Sequence, residues 1–341
     1  MGIGLGILVG SMLKIFVNTN LGHNTNETKS IFVESNLKKG TSISDIGFKL
    51  NKSKKESKII SSRWKELSDQ NPDIDVGGYF ISLDSEEYAQ LNPNKILPSA
   101  STIKIAILLI TLQMIDNGEL LWNEPIELKK ELIGSGSGWM AYEQIGKHFP
   151  THEIANEMIR ISDNTAANLL IKRIGGINSI NKRIKRIGLK DTQINNFLPD
   201  LKGTNTTTAK DMALIIAMID SGMVLTPKSR DLFRGIMSTS VSNNLIPAGV
   251  LKGLRIKQEK IDYQLLSQGF KIYNKTGEIG NSYSDAGLIQ MPDNTKAVAS
   301  FIVKGPLNDP RSSQLIRDMA SVIIEEIKPK SMLNPDDGPS L

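Results

Sequence analysis

The chain is predicted to fold as an α+β protein with an all-helical part inserted into it. Three observations predict this. A run rich in β-formers, Val76–Leu83, opens the folded body. The middle of the chain reads at helical period. Towards the C-terminus the period switches, giving three strand-like runs before a closing amphipathic helix.

Within the first strand, Tyr79, Phe80 and Ile81 are strong β-formers, and a turn follows around Asp84–Glu87. A helix is expected from near Ser101 to Asp116-Asn117-Gly118, which reads as a C-cap. It is apolar on nearly every face, so it belongs at the centre of the protein. Ile154–Ile161 and Thr165–Ile174 read as helices, with Gly175-Gly176 stopping the second. Thr208–Ser221 is another, ended by Gly222 and followed by Pro227. Phe270–Asn274, Ala286–Met291 and Ala297–Val303 read as strands, with Pro292-Asp293-Asn294 as the turn between the last two. Arg311–Ile327 closes the fold, and no internal repeat is present.

A length of 341 residues suggests two domains or one large two-part domain. Apolar content of 39% and charged content of 23% fit a globular protein with a sizeable core. They exclude a collagen-like, wholly disordered or polytopic membrane chain. The 41 Lys+Arg exceed the 36 Asp+Glu by a net +5. Read as cations with acids between them, this suits solubility and a small anionic ligand rather than nucleic acid. No cysteine is present, which excludes disulfides, Cys-ligated zinc, iron–sulfur clusters and thiol nucleophiles but says nothing about compartment.

Met1–Val17 is apolar except for Ser11 and Lys14, and its uncharged part, Gly2–Leu13, is shorter than the ~20 residues of a spanning helix. It reads as a signal anchor or signal-peptide remnant, with a Gly-rich disordered tail as the alternative. Export to the periplasm is therefore expected, with anchoring to the inner membrane through this segment as a variant. Residues 18–73 read as a polar linker with a helix near Lys54–Leu67, residues 74–330 as the folded domain and 331–341 as a disordered tail.

The chemistry-bearing pattern starts inside the apolar helix. An ammonium there, at Lys104, is costly unless paired or deprotonated. Ser101 lies three residues earlier, on the same helix face. A Lys with a depressed pKa can take the Ser proton and make Ser101 a nucleophile. Helix-terminal N–H groups add positive potential where an oxyanion would form. Ser-x-x-Lys also occurs at Ser11, Ser35, Ser62 and Ser179, but only Ser101 opens a long buried helix. Two further motifs follow in order: Ser162-Asp163-Asn164 between two helices, and Lys275-Thr276-Gly277 after a short strand. Alone, each is ordinary cap or turn chemistry; together and in this order they form a known serine-hydrolase set.

On these motifs the sequence resembles class A β-lactamases and related penicillin-recognising serine hydrolases over roughly Ile74–Ile327. Ile161–Ile171, Gly175-Gly176, Gly188-Leu189 and Thr206-Thr-Thr-Ala share the family's texture. The resemblance implies a β-lactamase-like fold, an antiparallel sheet flanked by helices beside a helical subdomain, with the site in the cleft between. It implies Ser101 as the acylated nucleophile and Lys104 as its base. It makes Ser162 the proton relay, near Lys104 and Lys275, and Asn164 the partner of the substrate amide. Lys275 and Thr276 would hold the substrate carboxylate, and Lys275 would help keep Lys104 neutral. The backbone N–H groups of Ser101 and Glu278, beside Gly277, would form the oxyanion hole. Asp163 fits a structural cap. Trp139, after Gly134-Ser-Gly-Ser-Gly, is either an aromatic cleft wall or core.

The pattern also breaks. The family's deacylating Glu has no counterpart: Leu198-Pro199-Asp200-Leu201-Lys202 occupies its loop, and no Glu occurs between Glu157 and Glu259. Leu198 stands at its position and Asp200 is the nearby carboxylate. Glu278 follows Lys-Thr-Gly where small or hydroxylated residues are usual. The assisting Arg is not obvious: Ser284-Asp285 takes one of its usual places, leaving Arg311 or Arg317. His148 and His152 are interrupted by Pro150, which argues against a metal site, and no Ser-His-Asp triad is suggested. The expectation is a class A β-lactamase-like enzyme that acylates Ser101 and deacylates slowly, monomeric, without metal or cofactor. Its substrate would be a β-lactam or cell-wall peptide. The alternatives are a D,D-peptidase or esterase and a non-hydrolytic β-lactam-binding module.

Overall fold

The computed structural model describes residues 55–327 apart from Glu86. The apolar segment 1–17, the first part of the expected linker and the tail 331–341 lie outside the described residues. Six strands form the central sheet: β1 (Lys55–Glu56), β2 (Asp75–Ser82), β3 (Glu87–Leu91), β8 (Lys271–Glu278), β9 (Ser282–Gln290) and β10 (Lys296–Lys304). Their order is β1-β3-β2-β10-β9-β8, antiparallel except for the parallel two-residue pairing of β1 with β3. Two small ladders pair β4 (Leu97–Pro98) with β7 (Thr206–Thr207), and β5 (Pro125–Glu127) with β6 (His148–Pro150).

Strand alternation divides the core. Phe80 and Phe301 pack with helices α1 (Lys58–Asp69), α8 (Ile246–Gly253) and α10 (Pro310–Ile327). Tyr79 and Ile81 join the other cluster, built on α2 (Ile103–Asp116), α3 (Thr151–Arg160), α4 (Asn164–Arg173), α5 (Gly176–Arg186), α6 (Ala209–Asp220) and α7 (Pro227–Met237). A short α9 (Ile261–Ser267) precedes β8. As expected from its uniform apolarity, α2 is buried at every residue from Ile103 to Met114.

One expectation about elements needs correction. The folded body does not begin at residue 74. Helix α1 lies across the sheet with Trp64 fully buried, its indole N–H donating to the Met319 carbonyl (2.8 Å) and its ring set edge-on to Phe301 (5.3 Å). Only Ile60 and Trp64 of this helix are buried, so its composition reads as linker. Trp64→Ala should destabilise the protein by about 3–5 kcal/mol in chemical denaturation; a loss below about 1 kcal/mol would return α1 to the linker. The Gly175-Gly176 stop is where it was expected: α4 ends at Arg173, Gly175 takes φ +99°, and a further helix, α5, starts immediately after it. Among the described residues no helix is long and apolar enough to cross a membrane.

Candidate active site

Ser101 lies in a 3-10 turn, Ala100–Thr102, that leads directly into α2 at Ile103. Ala100 is held at φ +46°, a strained conformation for a residue with a Cβ. Strand β8 runs against this turn. A Cβ on Gly277 would come within 2.6 Å of the Ser101 backbone nitrogen and 2.9 Å of the Ala100 Cβ. Glycine at 277 is therefore what lets the strand reach Ser101. The Lys-Thr-Gly motif is part of β8 itself, in register with Ala286, Asp285 and Ser284 of β9. Lys and Gly are depleted in strands, so the β9 ladder, more than local propensity, carries the strand through.

Lys104, on the first turn of α2, is fully buried. Its Nζ lies 2.6 Å from the Ser162 carbonyl, 2.8 Å from Asn164 Oδ1, 3.0 Å from Ser162 Oγ and 3.1 Å from Ser101 Oγ. Donor arithmetic suits a neutral amine. The carbonyl and the amide oxygen can only accept, so they take its two N–H groups. Its one lone pair is then left to accept from one of the two hydroxyls, Ser101 or Ser162. Burial lowers the Lys104 pKa well below the ordinary lysine value; the charge of Lys275 lowers it further, and Asp163 opposes.

Ser162 and Asn164 reach this point through the α3–α4 corner, where Ser162 sits at φ +62°. Asp163, between them, caps α4 through the Ala166 N–H (2.9 Å) and accepts from Trp139 N (2.8 Å) and Met140 N (3.0 Å). A Cβ on Gly138 would fall 2.1 Å from the Asp163 carboxylate, so that glycine is required. The Asn164 amide nitrogen donates to the Ser135 carbonyl (2.8 Å), tying the 134–138 loop to the site. Trp139 turns inwards, its indole N–H donating to Glu157 (2.7 Å) and its ring edge-on to Phe149 (5.8 Å).

Lys275 is also buried, donating to the Thr276 carbonyl (2.6 Å). Burial pulls its pKa down to about 8 against the opposing charge of Asp285. Asp285 stands where an arginine was sought. It is fully buried, accepting from Asn274 Nδ2 (3.0 Å) and the Ile246 N–H (2.9 Å), and burial pushes its pKa up to about 6. Ser284 donates to the Ser99 carbonyl beneath the nucleophile turn (3.0 Å). Neither Arg311 nor Arg317 supplies the missing guanidinium. Arg311 pairs with Asp73 and Asp309, and Arg317 with Gln314 and the Asn244 carbonyl. Glu278 is exposed at the end of β8 and faces the Tyr283 hydroxyl across the hairpin; burial and this carboxylate raise the Tyr283 pKa.

In the stretch 198–202, where the family's deacylating Glu is expected, the only carboxylate is Asp200. Asn168, one helical turn beyond Asn164 on α4, clamps the Leu198 backbone at both ends. It accepts from Leu198 N (2.8 Å) and donates to Leu198 O (2.7 Å). Leu198 is 5% exposed. Asp200 turns into its own loop, accepting from Thr204 Oγ1 (2.8 Å) and the Asn205 N–H (2.5 Å). Asn168 escaped the sequence reading, which placed Asp285 only where an arginine was sought and gave it no partner. The i, i+4 spacing of Asn164 and Asn168 was its one available hint.

His148 and His152 fall on separate elements, β6 and α3, and no group of three or more His, Asp or Glu among the described residues is placed to hold a metal ion.

Comparison with known proteins shows the family and the fold. The profile of the "Beta-lactamase enzyme family" matches residues 59–327. A Bacillus amyloliquefaciens β-lactamase is 26% identical over 292 residues, covering 81% of this chain and 86% of its own. The structure of PBP-A superposes with a TM-score of 0.73 at 36% identity, over 79% of this chain and 96% of that one. A leucine-to-glutamate variant of PBP-A, solved as its acyl-enzyme with penicillin G, matches equally well. The β-lactamase of Sphaerobacter thermophilus shares the fold, with a TM-score of 0.66 at 22% identity over 78% of this chain and 96% of that one.

Proposed function

We propose, for a chain that belongs to the β-lactamase enzyme family and is a serine hydrolase of the β-lactamase type, that Ser101 is its nucleophile and neutral Lys104 its base. The observation that carries this is the set of four oxygens around one buried amine. Ser101 Oγ bonds to the substrate carbonyl carbon as its proton passes to Lys104 Nζ. The carbonyl electrons move onto oxygen, which the Ser101 and Glu278 N–H groups stabilise. Collapse breaks the carbon–nitrogen bond, and Ser162 relays the proton from Lys104 to the departing nitrogen. Asn164 orients the acyl amide, and Lys275 with Thr276 holds the carboxylate. Lys275 also favours the neutral Lys104 through like-charge repulsion. The product is an ester on Ser101. Its hydrolysis needs an activated water, and with Leu198 and the turned-in Asp200 the loop offers no base, so deacylation is slow.

A D,D-peptidase acting on cell-wall peptides is the second reading, favoured by Leu198 and by the likeness to PBP-A. Both readings place the protein outside the cytoplasm, with Met1–Val17 as the export segment. Incubation with a fluorescent penicillin, followed by intact mass, tests the acylation step. One adduct per chain is expected, persisting after the free compound is removed and absent from Ser101→Ala. No adduct on the wild type, or an adduct on Ser101→Ala, would overturn the assignment; rapid loss of the adduct would overturn slow deacylation. Release of D-alanine from a D-alanyl-D-alanine peptide distinguishes the peptidase.

The acylation rate should rise with pH as Lys104 loses its proton and fall above about 8 as Lys275 loses the charge that holds the carboxylate. Asp285 favours the charged Lys275. Asp285→Asn should therefore move the alkaline limb to lower pH. An unmoved or raised limb in stopped-flow labelling would detach Asp285 from Lys275.

A further inference from the structure

The cations are not evenly spread. Between Asn164 and Lys190 there is no Asp or Glu, and seven Lys and Arg residues give this stretch more positive charge than the net +5 of the whole chain. Arg173 and Arg183 pair with Glu124 and Glu119. Lys172, Lys182, Lys185, Arg186 and Lys190 are exposed and have no ion-pair partner among the described residues. Lys182 and Arg186 stand four apart on the outer face of α5, with Lys185 beside them, while Ile180 and Ile184 face the core. Like charges at that spacing repel each other unless an anionic surface meets them.

A second feature flanks this face. The turn from Glu119 to Glu124 is laced onto it by Arg183–Glu119 (2.7 Å) and Arg173–Glu124. At its tip Leu121 is 62% exposed, next to a half-buried Trp122. Unpaired cations beside an exposed leucine and a tryptophan are the chemistry of a bilayer interface. Bases stack on exposed aromatic rings; none occurs between Asn164 and Lys190, and the flanking Trp122 is half-buried.

We propose that the outer face of α5, with the Leu121 turn at its side, docks on an anionic phospholipid bilayer. Helix α4 runs from Asn164 in the catalytic cluster to Arg173 at the cationic face, about 14 Å at 1.5 Å per residue. Docking at that far end leaves the Ser101 cluster clear of the lipid.

The test is co-sedimentation of the full chain with vesicles of phosphatidylcholine alone or with about one third phosphatidylglycerol. Each cation near an anionic surface strengthens binding about fivefold. Lys182→Glu/Lys185→Glu/Arg186→Glu should therefore weaken binding to the anionic vesicles at least 100-fold, and Leu121→Ser several-fold. Wild-type binding should fall steeply with added salt. Near-ultraviolet circular dichroism and an unchanged rate of penicillin labelling show that the variants remain folded. Equal binding to both vesicle types, or full binding by the triple variant, would overturn the proposal and assign attachment to the N-terminal segment. Tighter binding to RNA or to a soluble polyanion than to the anionic vesicles would overturn the lipid assignment.

Discussion

Replacing Leu198 with glutamate should shorten the life of the Ser101 ester by about 10²–10⁴-fold, the usual contribution of a positioned general base. The backbone there is already held: Asn168 clamps Leu198 from a position one turn beyond Asn164, whose own side chain touches Lys104. A carboxylate at 198 thus enters a fixed frame next to the acylation machinery. The same change replaces a buried alkyl group with an ionisable one, so a loss of stability is expected alongside the gain in turnover. Leu198→Gln controls for polarity without a base and should leave the ester as long-lived as in the wild type. The readout is the decay of the penicillin adduct by intact mass. An unchanged half-life in a Leu198→Glu protein that still acylates would show that this loop does not limit deacylation.

Lys104→Arg should abolish acylation, by a factor of about 10²–10⁴ or more. A guanidinium stays protonated in proteins, so it cannot take the Ser101 proton. It also brings a permanent charge to a place where four oxygens surround a buried amine. Lys104→Met keeps the length and removes both charge and lone pair. It should fail equally in labelling while remaining folded, at the cost of leaving Asn164 Oδ1 and the Ser162 carbonyl without a donor. Labelling of either variant at near wild-type rate would remove Lys104 from the mechanism. Circular dichroism and the thermal midpoint separate that result from misfolding.

Much of this arrangement is legible in the sequence because it rests on local signals. Twelve buried residues in a row, interrupted by one lysine three positions after a serine, announce both α2 and its chemistry. Ser162-Asp163-Asn164 is capping chemistry, and Asp163 does cap α4. What is not legible depends on partners distant in the chain. Trp64 finds its place against Phe301 and Met319, more than two hundred residues away. Asp285 is explained only by the Ile246 N–H and by Asn274 across the ladder. Gly175-Gly176 is legible as a helix stop, whereas α5 directly after it is not, because only Ile180 and Ile184 of its eleven residues are buried. The evenness of the charge fails as a reading because it averages over the chain, and α5 concentrates what the average hides.

The central claim is that burial beside Lys275 makes Lys104 give up its proton far more readily than an ordinary lysine, so that it can act as the base for Ser101. Nuclear magnetic resonance of protein labelled with ¹³C at the lysine ε-carbon measures this directly, with Lys104→Met identifying the resonance. The expected result is a titration midpoint for Lys104 well below the ordinary 10.5 of a lysine side chain. A midpoint at or above 10.5 would mean a protonated ammonium beside Ser101, and would contradict the account.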